Sequence, residues 1–111
     1  MSISKNSKLQ QLESFIKETP NDPFLVYAIG LEYQKINDLD KTRQYFNQLV
    51  ENFPDYLGVY YRYAALEVEL NNIDEAKILY KKGIEVAKTQ NNHKTLAELK
   101  GALMNLEIME D

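Results

Sequence analysis

Pro20 and Pro54 stand 34 residues apart, and each follows an apolar stretch and precedes Asn or Asp, as Pro20-Asn21-Asp22 and Pro54-Asp55-Tyr56. The same shift lays Asn37-Asp38-Leu39-Asp40-Lys41-Thr42 over Asn71-Asn72-Ile73-Asp74-Glu75-Ala76, and Tyr45-Phe46 over Leu79-Tyr80. A breaker that recurs in phase with its surroundings marks a repeated structural unit, in which each copy buries its apolar face against the next. This restricts the chain to a narrow set of architectures.

Between the breaks, apolar residues recur at intervals of three and four. Val26, Ile29, Gly30, Tyr33 and Ile36 form one helical stripe after Phe24, and Leu39, Phe46, Leu49, Val50 and Phe53 form a second. Each unit is therefore a pair of helices. Asp22-Pro23 offers a cap followed by a proline where the first turn has no use for its N–H, and Asp38 is placed to cap the next helix. Asn72 with Glu75 has the form of a capping box. These signals predict helices over 22–36, 39–53, 56–70 and 73–89. A preceding segment, Ser4 to Glu18, carries Leu9, Leu12, Phe15 and Ile16, and a closing one carries Leu96, Leu99, Leu103 and Leu106 after the Gln90-Asn91-Asn92 break. Six helices with short turns leave no room for a sheet.

Composition narrows function by exclusion. Thirteen Lys and Arg against seventeen Asp and Glu leave a formal charge of −4, and arginine occurs only at Arg43 and Arg62, which argues against a general nucleic-acid binder. The absence of cysteine removes disulfides, thiolate metal sites and cysteine nucleophiles. No run approaches the roughly 18 apolar residues of a membrane span, and Met1 to Lys8 lacks the apolar core of a leader, so a cytoplasmic location is the expectation.

Val26, Ile29, Gly30, Tyr33, Thr42, Phe46 and Pro54 in the first unit, and Tyr60, Tyr63, Ala64, Glu67, Ala76, Tyr80 and Lys88 in the second, resemble the motif of the tetratricopeptide repeat. Glu67 departs from the usual Tyr and Lys88 from the terminal Pro, so the long helix over 73–89 is expected to run on without a sharp stop. The resemblance implies an all-α, right-handed superhelix of about six antiparallel helices in a single domain, 1–111. Its parts are an N-terminal helix over 4–19, repeats over 22–55 and 56–90, and a capping helix over 92–110. Small residues at Gly30, Ala64 and Ala76 would let helix axes approach, and Gly83 and Gly101, inside predicted helices, point to close contacts of the same kind.

In this family the first helix of each pair lines a concave groove that binds a segment of a protein partner. By that resemblance the groove positions are Phe24, Tyr27, Leu31, Gln34 and Lys35, then Gly58, Tyr61, Arg62, Ala65, Val68 and Glu69. Tyrosine and other large side chains there suit a peptide or helix, because they give contact area at low entropic cost. The competing reading makes several of these tyrosines core. Tyr27 and Leu31 occupy positions where a chaperone-binding carboxylate clamp carries Lys and Asn, so that sub-class is not expected.

Catalysis finds no support. His93 stands in a polar turn and has no cysteine or second histidine to work with, the four glycines are dispersed, and Asp38 with Asp40 lacks the glycine and distal glutamate of a calcium loop. No cofactor or metal is implied. An alternative to the groove is a homo-oligomeric scaffold, because the last helix carries a second apolar face of Ala97, Gly101, Met104 and Ile108. A third reading rests on Tyr63-Ala64-Ala65-Leu66-Glu67 followed by Asn71 to Ala76, which is similar to the half-a-tetratricopeptide (HAT) repeats of RNA-processing scaffolds, with Lys77 where an Arg is usual.

Overall fold

The structure, a computed structural model, describes residues 3–110, with side chains from residue 7 onward. Met1, Ser2 and Asp111, which the 1–111 domain expectation includes, lie outside the described residues. All the regular structure in this range is α-helical: α1 Ile3–Glu18, α2 Pro23–Lys35, α3 Leu39–Asn52, α4 Gly58–Glu69, α5 Ile73–Thr89 and α6 His93–Glu110. The chain forms two compact units that meet in sequence at Tyr56 and Leu57. In the first, α2 packs against both α1 and α3; in the second, α5 packs against both α4 and α6.

The helices begin and end where the local chemistry directs. Asp22 caps α2 by accepting a 2.9 Å bond from the Phe24 N–H, and Asp38 caps α3 by accepting from the Lys41 N–H. The turn that follows a helix appears three times in one form. Asn37, Asn71 and Asn91 adopt φ of 62°, 64° and 55°, and the next N–H reaches back to the carbonyls of Tyr33, Glu67 and Ala87 at 2.9, 2.8 and 2.9 Å. A left-handed residue followed by this bond satisfies carbonyls orphaned at a helix end, and asparagine tolerates that conformation better than other residues with a side chain. The same turn stops α5 sharply at Thr89, where the replacement of proline by Lys88 had predicted a helix without a sharp end.

One cap differs from expectation. Asn72 precedes α5 but its side chain makes no capping bond; its Nδ2 donates instead to Glu67 Oε1 at 3.0 Å. Glu67 is fully buried, and a buried carboxylate needs donors more than a helix end open to water does. A cap of the expected type is found at α6, where Asn92 Oδ1 accepts from the Thr95 N–H.

Most of the repeat-motif positions form the two cores, while Tyr33 is half-buried and Pro54 and Lys88 are exposed. Val26, Ile29, Gly30, Thr42 and Phe46 are buried in the first unit, as are Tyr60, Tyr63, Ala64, Glu67, Ala76 and Tyr80 in the second. Thr42 fits where alanine is usual because its hydroxyl donates to the Asp38 carbonyl at 3.0 Å. Tyr33 stacks on Tyr45 at 5.7 Å and donates its hydroxyl to Glu13 of α1, which ties α1 to α2. Burial, reinforced by the Glu13 carboxylate, pushes the Tyr33 phenol up to about 12. In the second unit an ion pair joins Lys77 of α5 to Glu110 of α6. Two residues of the predicted apolar stripes, Phe15 and Ile36, are exposed.

Glycine serves two different ends. A Cβ on Gly30 would lie 2.8 Å from the ring of the buried Phe46, and one on Gly83 would lie 2.7 Å from Tyr60 Cβ. Both glycines permit close helix contact. Gly101 does not: a Cβ there meets nothing within 4 Å, which corrects the expectation of a packing role within the fold.

These contacts have measurable consequences. By chemical denaturation of dilute protein, Gly30→Ala and Gly83→Ala are expected to cost about 1–3 kcal/mol through overpacking, with Gly83 the more sensitive. Gly101→Ala is expected to add up to about 1 kcal/mol from helix propensity. Asn37→Ala and Asn71→Ala should each lose about 1 kcal/mol, whereas glycine at either position should not, since only the former strains the left-handed backbone. In an ultraviolet titration one tyrosine should ionise near pH 12, and Glu13→Gln should lower that value. Because the folded phenol holds its proton above the ordinary value of about 10, its contribution to stability is complete below that pH. The contribution declines as the pH rises through about 12, detectable as a falling melting temperature.

Candidate protein-interaction surfaces

The expected groove positions of the first unit share one side of α2, since Phe24, Tyr27, Leu31, Gln34 and Lys35 recur at helical intervals. Phe24 is 61% exposed at the start of the helix. Tyr27 is half-buried, with its ring stacked on Phe46 at 5.9 Å and tilted against Tyr56 at 5.3 Å. It therefore belongs partly to the core. Leu31 and Gln34 are half-buried, and exposed Lys35 donates to Glu32 at 3.0 Å. Glu32 also meets Lys8, and the bond from Lys35 is the first reason its carboxyl lies below the ordinary range, with burial acting in opposition.

Tyr56 is a residue that the sequence reading missed. With Pro23, Asn52, Phe53, Pro54 and Asp55 it lines a pocket of about 360 Å³, where the turn after α3 lies beside the first residue of α2. Burial raises the Tyr56 phenol above its ordinary value, with Tyr27 and Asp22 adding to the shift. The available signal was the clustering of aromatic and proline residues in Phe53-Pro54-Asp55-Tyr56, read there only as a breaker.

In the second unit Tyr61, Arg62, Ala65, Val68 and Glu69 lie along α4. Tyr61 is 45% exposed and meets Tyr80 of α5 edge to face at 6.0 Å. Burial raises the Tyr80 phenol, with Tyr61 contributing second. Gly58, Arg62 and Glu69 are exposed, and Ala65 and Val68 are half-buried. The outward side of α6 is separate from these. Ala97, Met104 and Ile108 are exposed and Gly101 is half-buried, while Leu99 and Leu106 of the same helix are buried. No helix among the described residues is long and apolar enough to cross a membrane.

Comparison with known proteins agrees with this architecture. A family profile described as the PRP39 N-terminal HAT repeat matches residues 10–92. The solution structure of a tetratricopeptide repeat domain protein from Salinibacter ruber is 39% identical, with 79% of this chain and 89% of that one covered and a TM-score of 0.76. A crystal structure of a tetratricopeptide repeat domain protein from the same organism is 38% identical over 78% of this chain and 97% of that one, with a TM-score of 0.74. A structure described as the MamA RS-1 ArsTM double mutant shares the fold at 17% identity, covering 96% of this chain and 87% of that one, with a TM-score of 0.66. No curated protein matches the chain at a significant level. Repeats of this kind are in general non-catalytic protein-interaction modules. Paired helices repeating at 34 residues, buried motif positions and this likeness together place the chain in the tetratricopeptide-repeat family, of which the HAT repeat is a variant.

Proposed function

We propose that this protein is a cytoplasmic, non-catalytic adaptor that binds extended or helical segments of a partner protein, through the outward side of α2 in the first unit and, separately, that of α4 in the second. The observation that carries this reading is the pair of exposed aromatic rings, Phe24 at 61% and Tyr61 at 45%, on the first helix of each pair. Aromatic side chains dominate the energetics of protein contacts, so exposed rings at these positions offer anchors for a partner. Tyr27, Tyr56 and Tyr80 brace the surroundings, so the surface loses little freedom on binding. Lys35, Arg62 and Glu69 supply charged margins that orient a ligand without clamping a terminal carboxylate.

A subunit role in an RNA-processing assembly is a second reading, favoured by the match to a HAT repeat. Under it the adaptor serves a ribonucleoprotein through protein contacts.

The test is affinity capture from native extract with the intact chain, compared with a Phe24→Ala, Tyr61→Ala double variant whose melting temperature is first shown to be unchanged. A specific partner retained by the parent and reduced about tenfold or more by the variant is the expected result, since two exposed aromatic anchors are lost. Equal capture by both chains would reject these surfaces. Ribonucleoprotein components among the captured proteins would support the second reading, and their absence would oppose it.

A further inference from the structure

We propose that the outward face of α6 pairs antiparallel with α6 of a second copy of this chain. This is independent of the partner-binding reading, because it uses none of the α2 or α4 residues. The face consists of Ala97, Gly101, Met104 and Ile108, spaced four, three and four apart, which places them in one row along the helix. Lys94 closes the row at one end with a charge. Met104 and Ile108 are 56% and 64% exposed, an arrangement that leaves two large apolar side chains in water on the side of α6 opposite the buried Leu99 and Leu106.

Three features select a second copy as the occupant, in one orientation. The first is volume. In an antiparallel pair with Gly101 facing Met104, Ala97 faces Ile108, so every layer sets a small side chain against a large one. A parallel pair in register would instead place Met104 on Met104 and leave a gap at Gly101. The second is Gly101 itself, a glycine in a helix interior with nothing within 4 Å of a would-be Cβ. Its cost in helix propensity is not repaid within the fold, and in the pair it receives the opposing methionine. The third is charge. Lys100 and Glu107 are exposed and flank the row on the same side, seven residues apart. The antiparallel register brings Lys100 of each copy to Glu107 of the other, twice by symmetry. On the opposite flank, Glu98 meets the neutral Asn105. A closed twofold arrangement of this kind is self-complementary and does not propagate. The ion pair of Glu110 with Lys77 holds the C-terminal end of α6 onto α5, so the presented face is fixed in advance. A seam of four layers is at the small end of specific interfaces, about 1,000 Å² in total, and the dimer is accordingly weak and concentration-dependent.

The experiment exploits the absence of cysteine. Ala97→Cys and Ile108→Cys variants are oxidised under mild conditions, each alone and then mixed. In the antiparallel register the two different positions meet, whereas identical positions are separated by about 16 Å along the axes, eleven residues at about 1.5 Å each. The expected result is a disulfide-linked dimer formed mainly in the mixture. Sedimentation equilibrium of the parent up to about 1 mM should show a monomer–dimer equilibrium, weakened about tenfold or more by Met104→Glu. Lys100→Glu and Glu107→Lys should each weaken it, and the two together should restore it. A parent that is monomeric over the whole range, cross-linking of like positions in preference to unlike ones, or failure of the double reversal to restore association would each overturn the proposal.

Discussion

Each unit depends on the close approach of a helix backbone to an aromatic side chain on its neighbour. Gly30 lies against the Phe46 ring, and Gly83 lies against Tyr60, at distances that leave no room for a methyl group. Packing at this range carries dispersion energy and leaves no void, and it commits the helices to one register because sliding by a residue would replace a glycine with a side chain. The other buried positions are consequences of that register. Thr42 occupies a place for a small residue and turns its hydroxyl back to its own helix; Ala64 and Ala76 are small and fully buried.

The two units meet the same backbone requirement with different side-chain chemistry. Asn37 and Asn71 reverse the chain in the same left-handed conformation, and the following N–H closes the same bond. Yet Asp38 caps the helix after it, while Asn72 is drawn to the carboxylate of Glu67. The difference traces to one position in the repeat. Tyr33 occupies it in the first unit and reaches Glu13 on α1, so its polar atom finds a partner beyond the helix pair. Glu67 occupies it in the second unit, is wholly buried, and takes Asn72 as a donor. A buried carboxyl group draws on nearby donors, whereas the exposed helix end can be solvated by water.

The proposed interaction surfaces have unlike foundations. Tyr27 and Tyr61 stand on other rings, so the α2 and α4 faces are rigid and partly spent on the core. The outward side of α6 has large apolar groups and a glycine in open space. An aromatic patch braced from below suits recognition of a separate molecule. A stripe with its small side chains at one end and its large ones at the other suits the same stripe turned end for end.

The order and type of all six helices were legible in the residues, because three-four periodicity, Asp22, Asp38, the prolines and the 34-residue phase are local properties that act over a few turns. Membership of the repeat family was legible for the same reason, and the motif positions other than Tyr33, Pro54 and Lys88 are buried. What tertiary structure alone decided is which neighbour each side chain meets. Phe15 and Ile36 share the period of core residues yet are exposed; Tyr27 sits between core and surface; Gly101 lies open where Gly83 is packed; and Asn72 serves a buried carboxylate. Periodicity identifies a helix face, but burial depends on the partner surface that covers it, and that surface is assembled from residues distant in the chain.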